Sequence, residues 1–194
     1  MTSRYPARQR GISLIELIMF IVIVSVGLVG ILSVMNVTTR ASADPMLRKQ
    51  AIAIAESLLE EIELQPFTFC DPDDANVATA TGPGGCASSV EGFGSGAGEA
   101  RGSATIPFDN VYDYAGAANG AAGFTMVGIR AIDDPATIIP GLEAYTATVT
   151  ITQAPIGNVP ADASLRIDVQ VTSGNNVDVT LTGYRLRYAP NITP

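Results

Sequence analysis

The hydrophobic pattern takes three successive forms along this 194-residue chain. From Leu17 to Met35 there are 19 residues without a charge, nearly all apolar. At about 1.5 Å rise per residue this is roughly 28 Å of helix, close to the thickness of a bilayer's hydrocarbon core. From Met46 to Leu64 the apolar positions fall on one helical stripe. Leu47, Ala51, Ile54 or Ala55, Leu58 and Ile62 recur at three- and four-residue intervals, widened by Leu59, while Arg48, Lys49, Glu56, Glu60, Glu61 and Glu63 lie largely off it. Asp44-Pro45 predicts a kink or break between the two halves, and Pro66 ends the second. Gly27 and Gly30 are the expected flexible points of the first half.

Beyond residue 123 the period becomes two. Strands are predicted at Phe124–Ile132, at Ala144–Gln153, over Leu165–Thr172, and at Val177–Tyr188 after a Ser173-Gly174-Asn175-Asn176 hairpin turn. In the last strand the apolar phase slips from odd (Val177, Val179, Leu181) to even (Tyr184, Leu186, Tyr188), which predicts a β-bulge at Gly183. Alternation of this kind means one wet face and one face covered by a helix. The expected fold class is α+β, a long N-terminal helix whose amphipathic half packs on an antiparallel sheet.

Charge sharpens the N-terminal reading. The formal net charge is -8, yet Arg4, Arg8 and Arg10 crowd the first ten residues, and without them the remainder carries about -11. Basic residues before the apolar run place the N-terminus in the cytoplasm, and so acidic a remainder argues against nucleic-acid binding. With no His, Ser–His and Cys–His catalysis and ordinary zinc sites are excluded. No enzyme and no cofactor is expected.

Three readings compete for the first segment. One is a plain membrane anchor. Another is a secretory signal cleaved at Ala41-Ser42-Ala43; against it, the apolar run exceeds the usual 7–15 residues of such signals, carries Glu16, and is separated from that site by polar Asn36–Arg40. The third turns on Glu16, since a carboxylate inside a membrane span costs on the order of 2.5–3.5 kcal/mol and marks function. The run Gly11-Ile12-Ser13-Leu14-Ile15-Glu16, behind a basic leader and ahead of a long apolar helix, resembles the class III signal of type IV prepilins. The family usually has Phe where Ile12 stands.

The resemblance implies cleavage between Gly11 and Ile12 by a prepilin peptidase, N-methylation of Ile12, and a register role for Glu16, paired with the free amine of a neighbouring subunit. Charges that meet in an apolar bundle offset each other's desolvation cost; Ile12 and Glu16, four apart, could also pair within one helix. It implies a lollipop-shaped fold and these partners: the peptidase, other pilins through their N-terminal helices, the pilus assembly platform and inner-membrane lipid. The protein would start as a single-pass inner-membrane precursor with a periplasmic head and end in an extracellular pilus. Residues 42–51 and 66–76 are further similar to minor pilins of the mannose-sensitive haemagglutinin (MSHA) pilus, of MshD type. The expected organisation is a leader at 1–11, a membrane or filament-core helix at 12–40, an amphipathic helix at 41–66, a cysteine loop and variable region at 67–123, and the sheet at 124–194.

Cys70 and Cys86 are the two cysteines, and in an oxidising compartment an even count suggests a disulfide. Asp71, Asp73, Asp74 and Asn76 could offer oxygens to calcium. Ala75 breaks the EF-hand pattern, however, and a solvated turn is favoured with no metal expected. Residues 82–104 read as a flexible surface loop. Phe108, Tyr112 and Tyr114 read as anchors of that loop in preference to an exposed binding patch, and Ala115–Gly123 as small-residue filler. A type II secretion pseudopilin, or a membrane-anchored adhesin binding through residues 82–123, are the alternatives to a pilus subunit.

Overall fold

The structure is a computed structural model that describes residues 11, 13–96, 98–174 and 177–187, with backbone alone at 37–44. The chain divides into two compact units, Met1–Asp44 and Pro45–Pro194. Helix α1 covers Leu14–Leu64, and four strands follow: β1 (Ala122–Val127), β2 (Tyr145–Gln153), β3 (Ser164–Ser173) and β4 (Val177–Leu186). The break expected at Asp44-Pro45 is absent: the backbone is helical at Pro45, as it is at Gly27 and Gly30. Proline removes a single helical hydrogen bond, and the run Met46–Ala51 that follows consists of strong helix formers.

In the second unit, Ala51, Ile54, Ala55, Leu58 and Ile62 are buried, with Leu59 packed against the same core. This is the expected stripe; Leu47 remains 38% exposed at its upper end. The stripe shares its core with one face of a meander in which β1 to β4 lie in sequence order, all antiparallel. That face is Tyr145, Ala147, Val149 and Ile151 of β2, Leu165, Ile167, Val169 and Val171 of β3, and Val177 and Val179 of β4. Each large apolar side chain buried here contributes roughly 1.5–3 kcal/mol. The opposite face is threonine-rich: Thr146, Thr148, Thr150 and Thr152 alternate with the buried residues of β2.

The bulge expected at Gly183 is not there. β3 and β4 pair without interruption from Ser164↔Leu186 to Ser173↔Val177. The odd phase therefore continues, Gly183 faces the core side, and Tyr184 points to the open face, 52% exposed. Space explains the apparent slip: a Cβ at Gly183 would collide with the Glu63 carboxylate and the Leu59 side chain. The tips of these two helix side chains fill the space above 183, and a side chain there would have to push them aside. The register irregularity falls instead in β1, between Ala122 and Thr125. There the backbone of residues 114–116 presses on Gly123. β1 also stops at Val127, five residues short of the expected end. Gly128 takes φ +68°, and any side chain on it would meet Ile138. Tyr188 and the hairpin residues Asn175 and Asn176 lie outside the described residues.

Gly183→Ala should destabilise the head by about 1–3 kcal/mol, the usual cost of overpacking, whereas Tyr184→Ala should change it by less than about 1 kcal/mol. Urea denaturation followed by circular dichroism separates the two; equal effects would place the bulge back at Gly183.

Candidate functional site

The first unit carries the residues singled out for processing and assembly. Gly11 is exposed, and the helix begins three residues later, with the Ser13 carbonyl accepting the Leu17 amide at 3.1 Å. Glu16 thus sits in the first turn, where unsatisfied amides and the helix dipole favour a negative charge. Ser13 and Glu16 also have the Ser-x-x-Glu spacing of a capping box, a signal that the pattern of charges alone overlooked. From Leu14 to Asn36 the helix offers 23 residues of mean hydropathy 2.9 with none of that surface buried. Leu14 is 77% exposed and Phe20 63%. A largely apolar cylinder about 35 Å long, charged only at Glu16, needs hydrocarbon or other apolar helices around it. Ile12, the expected first mature residue, and the leader residues 1–10 lie outside the described residues, as do the side chains of Ala41–Ala43; the backbone at 41–43 is helical.

In the second unit Cys70 and Cys86 are joined in a disulfide. Thr68 and Asn110, both fully buried, lock the base of this loop: Thr68 Oγ1 donates to the Cys70 carbonyl at 2.6 Å and accepts from Asn110 Nδ2 at 2.8 Å. Asp74 is turned inward. Its carboxylate accepts the amides of Asn76, Ala87, Ser88 and Ser89 at 2.6–2.9 Å, so the loop closes around one acid. Those bonds hold its pKa well below the usual carboxylate range. Of the oxygens considered for calcium, those of Asp74 are thereby spent on the backbone. Asp71 and Asp73 instead converge with Asp109, each offering an oxygen within 4.8 Å of the others.

The segment expected to be a flexible surface loop is tied down at several points. Val90 bridges to Cys70, the Glu91 amide donates to the Phe69 carbonyl at 3.0 Å, and Phe93 packs edge-on against Tyr112 at 4.8 Å. Arg101 forks onto Glu61 of α1 with bonds of 2.7 and 2.6 Å, and Tyr114 donates to the same carboxylate at 2.6 Å. Glu61 lies off the apolar stripe, and what holds it is a partner 40 residues away, invisible to local periodicity. Tyr112 and Tyr114 are buried, as anchors should be, and Phe108 packs edge-on against Tyr114. The Asn110–Asp113 pair forms a capping box on the short helical turn 111–114.

The anchoring leaves acids in poor surroundings. Asp113 is 3% exposed, and its Oδ1, like Asp109 Oδ1, meets no hydrogen-bond donor among the described residues. Burial pushes Asp113 up to about 7, Asp109 to about 6 and Glu91 to about 8, helped by the neighbouring acids.

The chain matches the prokaryotic N-terminal methylation motif over residues 6–32. That span contains Gly11, Ile12 and Glu16. No curated protein and no solved structure matches the chain.

Two outcomes follow from this geometry. The three raised acids bind more protons folded than unfolded, so their contribution is full below about pH 4 and is lost as pH rises through about 8. The thermal midpoint should therefore fall across that window, and Asp113→Asn, which keeps an oxygen for the cap, should flatten the slope; an unchanged slope would contradict the assignment. Cys70→Ser with Cys86→Ser should cost about 3 kcal/mol relative to the oxidised wild type, read by denaturation, with reduced wild type matching the variant.

Proposed function

We propose that this chain is a type IV pilin-like subunit, made as a membrane precursor, cut between Gly11 and Ile12, and built into a filament through its apolar helix. The observation that carries the reading is the methylation motif over residues 6–32, which runs into a 23-residue apolar helix, Leu14–Asn36, none of whose residues is buried. A prepilin peptidase would act at the Gly11–Ile12 bond, Ile12 would become the methylated amine, and other pilins, the assembly platform and inner-membrane lipid would be its successive neighbours. The head would lie in the periplasm, as the leader arginines indicate, and then outside the cell. Catalysis has no part in this reading, which is that of a structural protein.

The physical logic rests on Glu16. In a lipid or helix-bundle setting its charge is costly, and an amine at Ile12 of an adjacent subunit would relieve it. A subunit entering out of register leaves both charges bare, so the pair selects register. Within the family the minor-pilin role, and specifically the MSHA type, is favoured over a secretion pseudopilin. Its support is the wording of residues 42–51 and 66–76, together with the disulfide loop.

Co-expression with a prepilin peptidase, followed by mass spectrometry of the mature chain, should give an N-terminus at Ile12 with one added methyl group. A start at Asp44 would sink the proposal. Glu16→Ala should be processed normally yet recovered in sheared filaments at no more than about a tenth of the wild-type level; normal recovery would remove the register role.

A further inference from the structure

The base of the cysteine loop and the turn at 109–113 are clasped together, and both present acids. The clasp is the buried hydrogen bond from Asn110 to Thr68 at 2.8 Å, with the Val111 amide on the Pro66 carbonyl at 3.1 Å. Thr68 stands two residues before Cys70, and Asn110 directly after Asp109. Asp71 and Asp73 therefore meet Asp109 across the clasp, one oxygen of each lying within 4.8 Å of the other two. The charged groups acting on Asp109 are Asp71, Asp73 and Glu99, all of them acids. The filament reading makes no use of this cluster.

Acids often crowd the surface of an acidic protein. This group differs in having buried oxygens that no donor reaches. Asp113 is 3% exposed, and its Oδ2 accepts the Asp109 and Asn110 amides at 2.9 and 2.7 Å. That grip sets its other oxygen beside Asp109, and Oδ1 of both residues lacks a donor among the described residues. The side chain that meets Asp113 is Glu99, another acceptor. Buried acceptors without donors are destabilising, and a cation shared among them relieves several at once. The donors are carboxylate oxygens, the chain has no His, and both cysteines are in the disulfide, so metals that prefer imidazole or thiolate find no ligand. Hard cations remain. Oxygens on opposite sides of a calcium ion stand about 4.8 Å apart, against about 4.2 Å for magnesium. The three oxygens fit the calcium span as they stand. Asp73 is exposed and Asp71 half-buried, which leaves room for water to complete the roughly six to eight oxygens that calcium takes.

We propose that Asp71, Asp73 and Asp109 bind one calcium ion, with Asp113 behind Asp109 as the inner wall of the site. Asp74, weighed for calcium on sequence spacing, is spent on the loop's backbone, and Asp109 takes its place from the far side of the clasp. The ion ties the cysteine loop to the turn at 109–113. Binding needs neither cleavage at Gly11 nor entry into a filament, so a chain that fails as a pilin can still pass this test.

The test is isothermal titration calorimetry with calcium chloride on the full chain in a nonionic detergent, stripped of metal with EDTA. Salt at about 0.15 M screens loose attraction to an acidic surface. Calcium should bind at one site per chain with a Kd of about 0.1–1 mM, the range of extracellular calcium modules. The thermal midpoint in about 10 mM calcium should stand roughly 3–10 °C above that in EDTA. Asp73→Asn and Asp109→Asn should each weaken binding about tenfold or more, since affinity follows the charge of the ligands. Asp178→Asn, an exposed acid at the start of β4, should leave it unchanged. Circular dichroism matching wild type qualifies each variant, and Asp73→Asn, at an exposed position, stands in where Asp109→Asn fails to fold. No binding at about 10 mM calcium overturns the proposal. So does equal binding by the qualified ligand variants, or magnesium binding as tightly as calcium.

Discussion

Everything in the head depends on how closely α1 lies on the sheet. The stripe Ala51–Ile62 gains its stability only against a surface that is apolar at every second residue, and β2, β3 and β4 supply it. The approach is close enough that the sheet must give way at one point. At Gly183 the strand keeps its register and surrenders a side chain, so Leu59 and Glu63 can sit over bare backbone. Small residues on the helix, Ala51 and Ala55, both fully buried, do the same from the other side. Close packing of this kind is unforgiving of added volume.

That same helix also organises the region between it and the sheet. Glu61 points off the apolar stripe, and there it collects Arg101 and Tyr114; Gln65 offers its carbonyl to Arg185. With Asn110 and Thr68 interlocked beneath, a segment rich in glycine and alanine acquires a fixed course without strands of its own. The disulfide and Asp74 close its outermost loop. The cost is electrostatic. Acids that face one another with few donors are tolerated because they hold protons, which makes this region the part of the head most sensitive to pH.

The two units obey different solvents. The first exposes large apolar side chains from Leu14 to Met35, and the second buries its apolar side chains in a core of its own. Glu16 belongs to the first by position and to neither by chemistry, which is why its charge calls for a partner. Glu91, Asp109 and Asp113 show the opposite case: carboxyl groups withdrawn from water inside the head.

The sequence by itself determined the local elements. Nineteen uncharged residues, the Gly11–Glu16 spacing, the helical stripe and the period-two runs each encode their structure within a few turns or strands, because backbone hydrogen bonding and side-chain direction repeat over short distances. The disulfide was legible from the parity of two cysteines. Tertiary structure decided the rest. Gly183 read as a bulge because a change of phase in one strand cannot show that a helix lies above it. Glu61 read only as off the stripe, because Arg101 is 40 residues away. The loop 82–104 read as free because its ties run to Cys70, Phe69 and Glu61, none of which lies within it. Each of these depends on which distant side chain occupies the neighbouring volume, and only the packed chain fixes that.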